Sequence, residues 1–177
     1  MTDNVHRTLI ELLTDRGHTE FEFPDTNLIV GVNPTTQENT VVYRMVDAKV
    51  SVKNIKQLKS ILVEYTFSCL IIVYKTSVST FARQFVADDD VFVQLFGEHE
   101  LEFNITKHEL VPVHRVLTSI EKTAVMNRLN LTSVKSFPVI SADDPICRYY
   151  GCVSGMLIEI QRASDTCDTY VFYRLVV

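Results

Sequence analysis

The sequence predicts an α+β protein of two domains, an N-terminal three-layer α/β domain over residues 1–106 and a small C-terminal α+β domain over residues 107–177. Three observations predict it. Cys69-Leu70-Ile71-Ile72-Val73-Tyr74 is an unbroken apolar run of strand length, and such a run belongs to a strand covered on both faces. Residues 53–64 and 77–85, on either side of that run, read as helices that would supply the covering layers. Downstream, Asp143-Asp144-Pro145 ahead of Gly151 marks a short capped helix, and two β-rich runs then carry the chain to Val177. At 177 residues and 46% hydrophobic content, one medium or two small cores can be buried.

In chain order, Asn4 can cap a helix whose Val5, Leu9, Leu12 and Leu13 fall on one side, with Gly17 as its stop. Residues 27–32 and 40–46 are β-rich, and Asn33-Pro34 with residues 37–39 supplies the turn of a hairpin. Ile55, Leu58, Ile61 and Leu62 recur at helical spacing before the central strand, and the apolar stretches 91–95 and 101–105 follow it. Thr118-x-x-Glu121 is a capping box that opens a helix to about Leu129, and residues 130–136 are a polar approach to the final block. There a helix over residues 146–150 stops at Gly151. Ile158 and Ile160 alternate with Glu159 and Gln161 in a strand over residues 156–162, residues 163–168 turn, and residues 169–177 form the closing strand.

The polar start of the chain and the shortness of its longest apolar run predict neither a signal peptide nor a membrane helix, which places the protein inside a cell. Cys69, Cys147, Cys152 and Cys167 lack C-x-x-C spacing and read as reduced core thiols rather than disulfides, a zinc site or a nucleophile. Residues 1–106 carry 9 Lys and Arg against 15 Asp and Glu, and residues 107–177 carry 8 against 7, so neither half is a basic nucleic-acid domain. The one basic cluster, Lys49, Lys53, Lys56 and Lys59, reads as a solvated helix face. The five glycines show no phosphate-loop spacing. His108-Glu109 fails as a zinc-binding H-E-x-x-H helix because Pro112 stands where the second histidine belongs, and His108 and His114 flank an extended proline-containing linker. No metal, cofactor, small-molecule substrate or membrane is implied.

The final block reads FPVISADDPICRYYG, then IEIQRASDT, then YVFYRLVV. It resembles the C-terminal assembly domain of the jaw subunit shared by the eukaryotic nuclear RNA polymerases, the family of their common fifth subunit and its archaeal homologue. Pro138, Asp144, Pro145, Arg148, Tyr149, Gly151, Gly155, Ile160, Arg162, Ser164, Thr166, Tyr170, Tyr173 and Arg174 stand in the matching places. Phe137, Val153-Ser154 and Cys167-Asp168 depart from the pattern, as in a divergent member. LLTDRGH, residues 12–18, is similar to the end of the first helix of the family's N-terminal jaw domain, and NITKHELVPVH, residues 104–114, to its junction, which sets the boundary near Thr106. The family's jaw is longer after its first helix, and residues 19–26 are what remains of that region here.

The resemblance implies a non-catalytic structural subunit of a multisubunit DNA-directed RNA polymerase. Its C-terminal assembly domain, of the type that makes up the archaeal homologue, would dock on the largest subunit and meet other polymerase subunits. Its N-terminal jaw, with a nuclease-like core topology, would lie near downstream DNA and touch it weakly or indirectly. Pro138, Asp144, Pro145, Arg148, Tyr149, Gly151, Arg162, Tyr173 and Arg174 are the candidate interface residues, since Arg and Tyr offer planar hydrogen-bonding and stacking surface at low entropic cost. The residues themselves also allow a Mg²⁺-dependent nuclease: Pro24-Asp25, a hairpin, then Asp47-Ala48-Lys49 follow the Pro-Asp…(Asp/Glu)-x-Lys order. In that chemistry Asp25 and Asp47 on adjacent strands bind the metal and Lys49, on the same strand face as Asp47, positions the attacking water. A free-standing interaction module is the third reading. The trimmed jaw favours a large cytoplasmic DNA virus, with the protein in a viral factory or virion, over a divergent eukaryotic paralogue in the nucleus.

Overall fold

The computed structural model describes residues 4–34, 38–45, 49–65, 67–87, 91–164 and 168–177. Compactness divides the chain into Met1–Phe103 and Asn104–Val177. The first unit runs α1 (Asn4–Asp15), β1 (Glu20–Asp25), β2 (Leu28–Val32), β3 (Asn39–Met45), α2 (Val52–Leu62), β4 (Cys69–Tyr74), α3 (Thr80–Ala87) and β5 (Phe92–Gly97). Its sheet has the order β1-β2-β3-β4-β5. β1, β2 and β3 form an antiparallel meander, whereas β4 pairs in parallel with both β3 and β5. The parallel pairings need crossover connections, and α2 and α3 are those connections.

Strand alternation sends two apolar sets to opposite faces. Leu28, Val30, Val41, Leu70, Ile72 and Val93 pack with Ile55, Leu58 and Leu62 of α2 and Ala82 of α3. On the other face α1 comes close enough that a Cβ on Gly31 of β2 would sit 3.3 Å from the Leu13 side chain and 3.2 Å from the His18 ring. Gly31 is what permits that approach. Burial lowers the pKa of His18 below its ordinary value, against the opposing effect of the Leu13 carbonyl that its Nδ1 meets at 3.0 Å.

The hairpin of β2 and β3, the helix over α2 and the central buried strand follow the sequence expectation, and the lysines of α2 lie on its outer side, with Lys53 and Lys56 exposed. Four details differ. Ile61 leaves the buried stripe of α2 and is exposed, because the 55, 58, 62 spacing already fills one face. α3 begins at Thr80 rather than residue 77, since Val78 is held in a parallel bridge with Val50. Residues 101–105 fall within or between the 3-10 turns Glu98–Leu101 and Ile105–Lys107. Residues 19–26, read as a remnant, contain the whole of β1, whose Glu20-Phe21-Glu22-Phe23 alternation marks an edge strand.

The second unit runs β6 (Val113–Val116), α4 (Ser119–Arg128), β7 (Val139–Ile140), α5 (Pro145–Tyr150), β8 (Leu157–Ser164) and β9 (Asp168–Val176), with sheet order β6-β8-β9-β7. The proline-containing linker expected from the sequence is thus partly a strand, β6, paired antiparallel with β8. The closing sheet has four strands rather than the two legible in the sequence. Leu157 and Leu175 face α4 with Leu117, Val125 and Phe137. Ile158, Ile160 and Val176 face the other way, with Cys147 and Cys152 at α5. Burial pushes the Cys147 thiol up to about 11, with the Asp144 charge adding to it, as suits a reduced core residue. Cys69 and Cys152 are also buried and reduced, and Cys167 lies outside the described residues.

α4 starts with the predicted capping box: Thr118 Oγ1 accepts from Glu121 N at 3.3 Å, and Glu121 Oε2 accepts from Thr118 N at 2.9 Å. Arg115 of β6 bonds the other oxygen of Glu121, and it is the first cause of a carboxyl lowered from its ordinary 4.5 to about 2. A depressed folded-state pKa gives stability that is present above the unfolded value and lost as pH falls through the folded one. Acid titration of unfolding should therefore show a stability loss between pH 4.5 and 2 that is smaller in Glu121→Gln, followed by circular dichroism in denaturant. In the first unit, Gly31→Val should destabilise by about 1–3 kcal/mol through overpacking against Leu13 and His18, read from the urea midpoint.

Candidate functional site

The chemistry-bearing residues of the second unit are arranged by α5 and by the two faces of its sheet. Asp144 caps α5 through Oδ1, which accepts from Ile146 N at 2.9 Å, and Pro145 takes the first helical position, where no N–H is needed. Gly151 ends the helix in the left-handed region at φ 67°, with its N–H on the Arg148 carbonyl at 3.1 Å and Cys152 N on the Cys147 carbonyl at 2.8 Å. A six-residue helix stopped this firmly at both ends holds its side chains in fixed places.

Its candidate tyrosine and arginine part ways. Tyr149 is 3% exposed, and its hydroxyl accepts from the buried Asn104 Nδ2 at 2.9 Å while its ring meets Tyr150 edge-on at 5.3 Å. The planar surface expected to meet a partner is instead spent inside the unit, where it holds Asn104 against α5. Arg148, one residue earlier, is half-buried and reaches the surface. Asp144 and Gly151 are half-buried and Pro145 is exposed, so the outer side of α5 is made of the capping residues and Arg148.

Period two separates the rest. Ile158 pairs with Arg174, Ile160 with Phe172 and Arg162 with Tyr170, which places Arg162, Tyr170, Phe172 and Arg174 on the α5 face of the sheet. There Tyr170 and Phe172 stack at 5.2 Å, the Arg174 guanidinium lies 6.0 Å from the Phe172 ring, and Arg174 Nη1 donates to the Val139 carbonyl at 2.9 Å. Pro138 is exposed next to it, and its carbonyl accepts from Leu175 N at 2.8 Å.

Tyr173 turns to the α4 face. Its hydroxyl receives Arg128 Nη2 at 2.5 Å and donates to Glu159 Oε2 at 3.2 Å, while Glu159 Oε1 accepts from Arg115 Nε at 3.3 Å. Burial alone would raise the Glu159 carboxyl, but Arg115, Gln161 and Tyr173 hold it below the usual carboxylate range. This row across β6, β8 and β9 was not legible in the sequence because its register depends on β6, a strand hidden in the proline-containing stretch.

The nuclease constellation does not assemble from its described members. Asp25 ends β1, its Oδ1 accepting from Thr26 N at 2.6 Å, and β2 separates β1 from β3, so the strand carrying Asp25 and the one leading toward Asp47 are roughly 10 Å apart rather than adjacent. Lys49 is exposed, and Asp47 and Ala48 lie outside the described residues, as does Thr166. No group of three or more His, Cys, Asp and Glu that could hold a metal occurs among the described residues. His108 Nδ1 accepts from Leu110 N at 3.2 Å and His114 Nδ1 bonds the Pro112 carbonyl at 2.6 Å, local contacts of the kind expected from the sequence. No helix is long and apolar enough to cross a membrane among the described residues.

Known proteins share this organisation in sequence. The family model described as RNA polymerase Rpb5, C-terminal domain, matches residues 103–176, which is nearly the whole second unit. The Caenorhabditis elegans protein named DNA-directed RNA polymerases I, II, and III subunit RPABC1 is 36% identical over 155 residues, covering 86% of this chain and 73% of the relative. The Dictyostelium discoideum subunit rpabc1 is 31% identical over 189 residues, covering 98% of this chain and 95% of the relative. The Pyrococcus abyssi DNA-directed RNA polymerase subunit Rpo5 is 45% identical over 76 residues, 43% of this chain but 92% of the relative. With a full-length relative at this identity and a C-terminal unit that matches the family's own domain, the chain belongs to the Rpb5 family of RNA polymerase subunits.

Proposed function

We propose that this chain is a non-catalytic structural subunit of a multisubunit DNA-directed RNA polymerase. The carrying observation is that likeness to a relative named as such a subunit runs through both units, covering 98% of this chain and 95% of the relative. Nothing supports the Mg²⁺ nuclease, and β2 separates the strand that carries Asp25 from β3.

Each unit has a role of its own in this reading. The C-terminal unit docks on the largest subunit, and the N-terminal unit is the jaw, built on a nuclease-like core topology and placed near downstream DNA with weak or indirect contact. An archaeal polymerase subunit is covered to 92% by a match of 76 residues, about the size of the C-terminal unit, which supports attachment through that unit. The acidic balance of residues 1–106, 9 Lys and Arg against 15 Asp and Glu, supports a jaw that does not hold DNA by itself. The docking surface is the α5 side of the second unit: Pro138, Asp144, Pro145, Arg148, Arg162 and Arg174, with Gly151 and Tyr149 fixing α5 beneath it. Tyr173 contributes on the opposite face through the Arg128–Glu159 row. The protein works where its polymerase works, in the nucleus for a cellular enzyme and in a cytoplasmic factory or virion for a viral one.

Each unit has its own sheet and core, and we take the two to fold separately. Because Asn104 bonds Tyr149, the C-terminal piece has to begin at residue 104 rather than 107. Affinity purification of the tagged chain from its native source should bring down the other polymerase chains, residues 104–177 alone should do the same, and residues 1–103 should not. A full chain that elutes alone ends the polymerase reading, and retention of residues 1–103 with loss of residues 104–177 inverts the division of labour. Within the full chain, Arg148→Ala should weaken incorporation by about 2 kcal/mol, a hot-spot loss, with the melting temperature of the free subunit nearly unchanged.

A further inference from the structure

The outer edge of β9 is bare over most of its length. β7 covers it only at Leu175 and Val176, and among the described residues no other strand pairs with it from Thr169 to Tyr173. The backbone bonds show which groups point outward. Leu175 N donates to the Pro138 carbonyl and Val177 N to the Ile140 carbonyl, so odd-numbered residues turn their N–H and C=O to the β7 side; Val176 N donates to the Met156 carbonyl, so even-numbered residues turn theirs to the β8 side. Thr169, Val171 and Tyr173 therefore carry a row of donors and acceptors on an edge that β7 has already shown able to take a strand.

Among the described residues, little blunts this edge between Thr169 and Tyr173. Sheets blunt free edges with charge, proline, bulges or very short strands, and two other edges of this protein, β1 and β6, do so. β1 carries Glu20, Glu22 and Pro24 and a register shift between Glu22 and Asp25. β6 has four residues and follows Pro112. β9 has no proline, no lysine and an unbroken register with β8 from Leu157 to Ser164, and it exposes Tyr170 by 51% and Val171 by 42%.

The flanking side chains select the occupant. On the α5 face, Arg162 and Arg174 stand at either end of the Tyr170–Phe172 stack with no carboxylate at the alternating positions between them, and Asp168 begins β9 two residues before Tyr170. Arg174 uses Nη1 on the Val139 carbonyl, which leaves the rest of its five-donor fork to the same surface. A strand laid along β9 would gain backbone hydrogen bonds from the edge and charge-assisted ones from the two guanidiniums if its side chains on that face were acidic.

We propose that the β9 edge at Thr169, Val171 and Tyr173 is a strand-addition site, filled in the assembled enzyme by an extended acidic segment of a neighbouring polymerase chain lying in line with β7. This rests on the polymerase reading. It goes beyond that reading by naming the backbone groups used and the chemistry of the segment that uses them.

The test is amide hydrogen exchange at single-residue resolution on the free full chain and on polymerase purified with it, with acid quench. The amides of Thr169, Val171 and Tyr173 should exchange rapidly in the free chain and slow on the order of 100-fold in the polymerase, while those of Tyr170, Phe172 and Arg174 stay slow in both. If the chain sits in the polymerase and the odd-numbered amides still exchange as they do when free, strand addition is wrong and the polymerase reading stands. A chain that does not enter the polymerase overturns both. Slow odd-numbered amides in a free chain of dimeric mass would make the occupant a second copy and overturn the proposal. Val171→Pro removes an outward N–H and leaves the β8 ladder intact, so it should lower retention in polymerase by on the order of 10-fold with an unchanged melting temperature; retention equal to that of the unmodified chain overturns the proposal.

Discussion

A strand that is apolar on both sides has to be covered on both sides, and this requirement decides where the helices of each unit go. In the first unit Leu70 and Ile72 of β4 face α2 and α3, while α1 lies over the opposite face, close enough to require Gly31. In the second, Ile158 and Ile160 of β8 face α5, while Leu157 faces α4. A register slip of one residue in β8 would turn its buried residues to the wrong layer and bring Glu159 under α5. The alternation therefore fixes the core and, with it, which polar side chains remain outside.

The arrangement of α5 follows from the same economy. A helix of six residues cannot persist on its own hydrogen bonds, so its ends are closed by Asp144, Pro145 and Gly151 and its inner side is closed by Ile146, Cys147 and Tyr149. Burying Tyr149 strands a hydroxyl, and Asn104 satisfies it while also capping the turn Ile105–Lys107 through Thr106 N at 3.0 Å. One buried amide thus ties the start of the second unit to α5. The cost is that a residue with the chemistry of an interface anchor is no longer available as one.

The two sheet faces of the second unit carry different electrostatics. On the α4 face Arg115, Glu121, Glu159, Tyr173 and Arg128 satisfy one another, so little charge is offered to a partner. On the α5 face Arg162 and Arg174 flank aromatic rings with no carboxylate at the alternating positions between them. That asymmetry leaves the guanidiniums of the α5 face beside the part of the β9 edge that β7 does not cover.

The sequence by itself determined the elements whose signals are local. The Asp144-Pro145…Gly151 helix, the Thr118-x-x-Glu121 box, the stop at Gly17 and the apolar run Cys69–Tyr74 each need only a few neighbouring residues, because caps, left-handed glycines and hydrophobic periodicity are short-range constraints. The motifs of residues 137–174 likewise carried the family. Tertiary structure alone decided what depends on pairing partners far along the chain. β6 and β7 are too short, at four and two residues, to announce themselves, and exist because β8 and β9 offer edges to them. The split of Tyr173 from Arg174, the inward turn of Tyr149 and the separation of Asp25 from β3 are consequences of register, burial and strand order. Those are set by long-range hydrogen bonding and packing, to which local sequence is nearly blind.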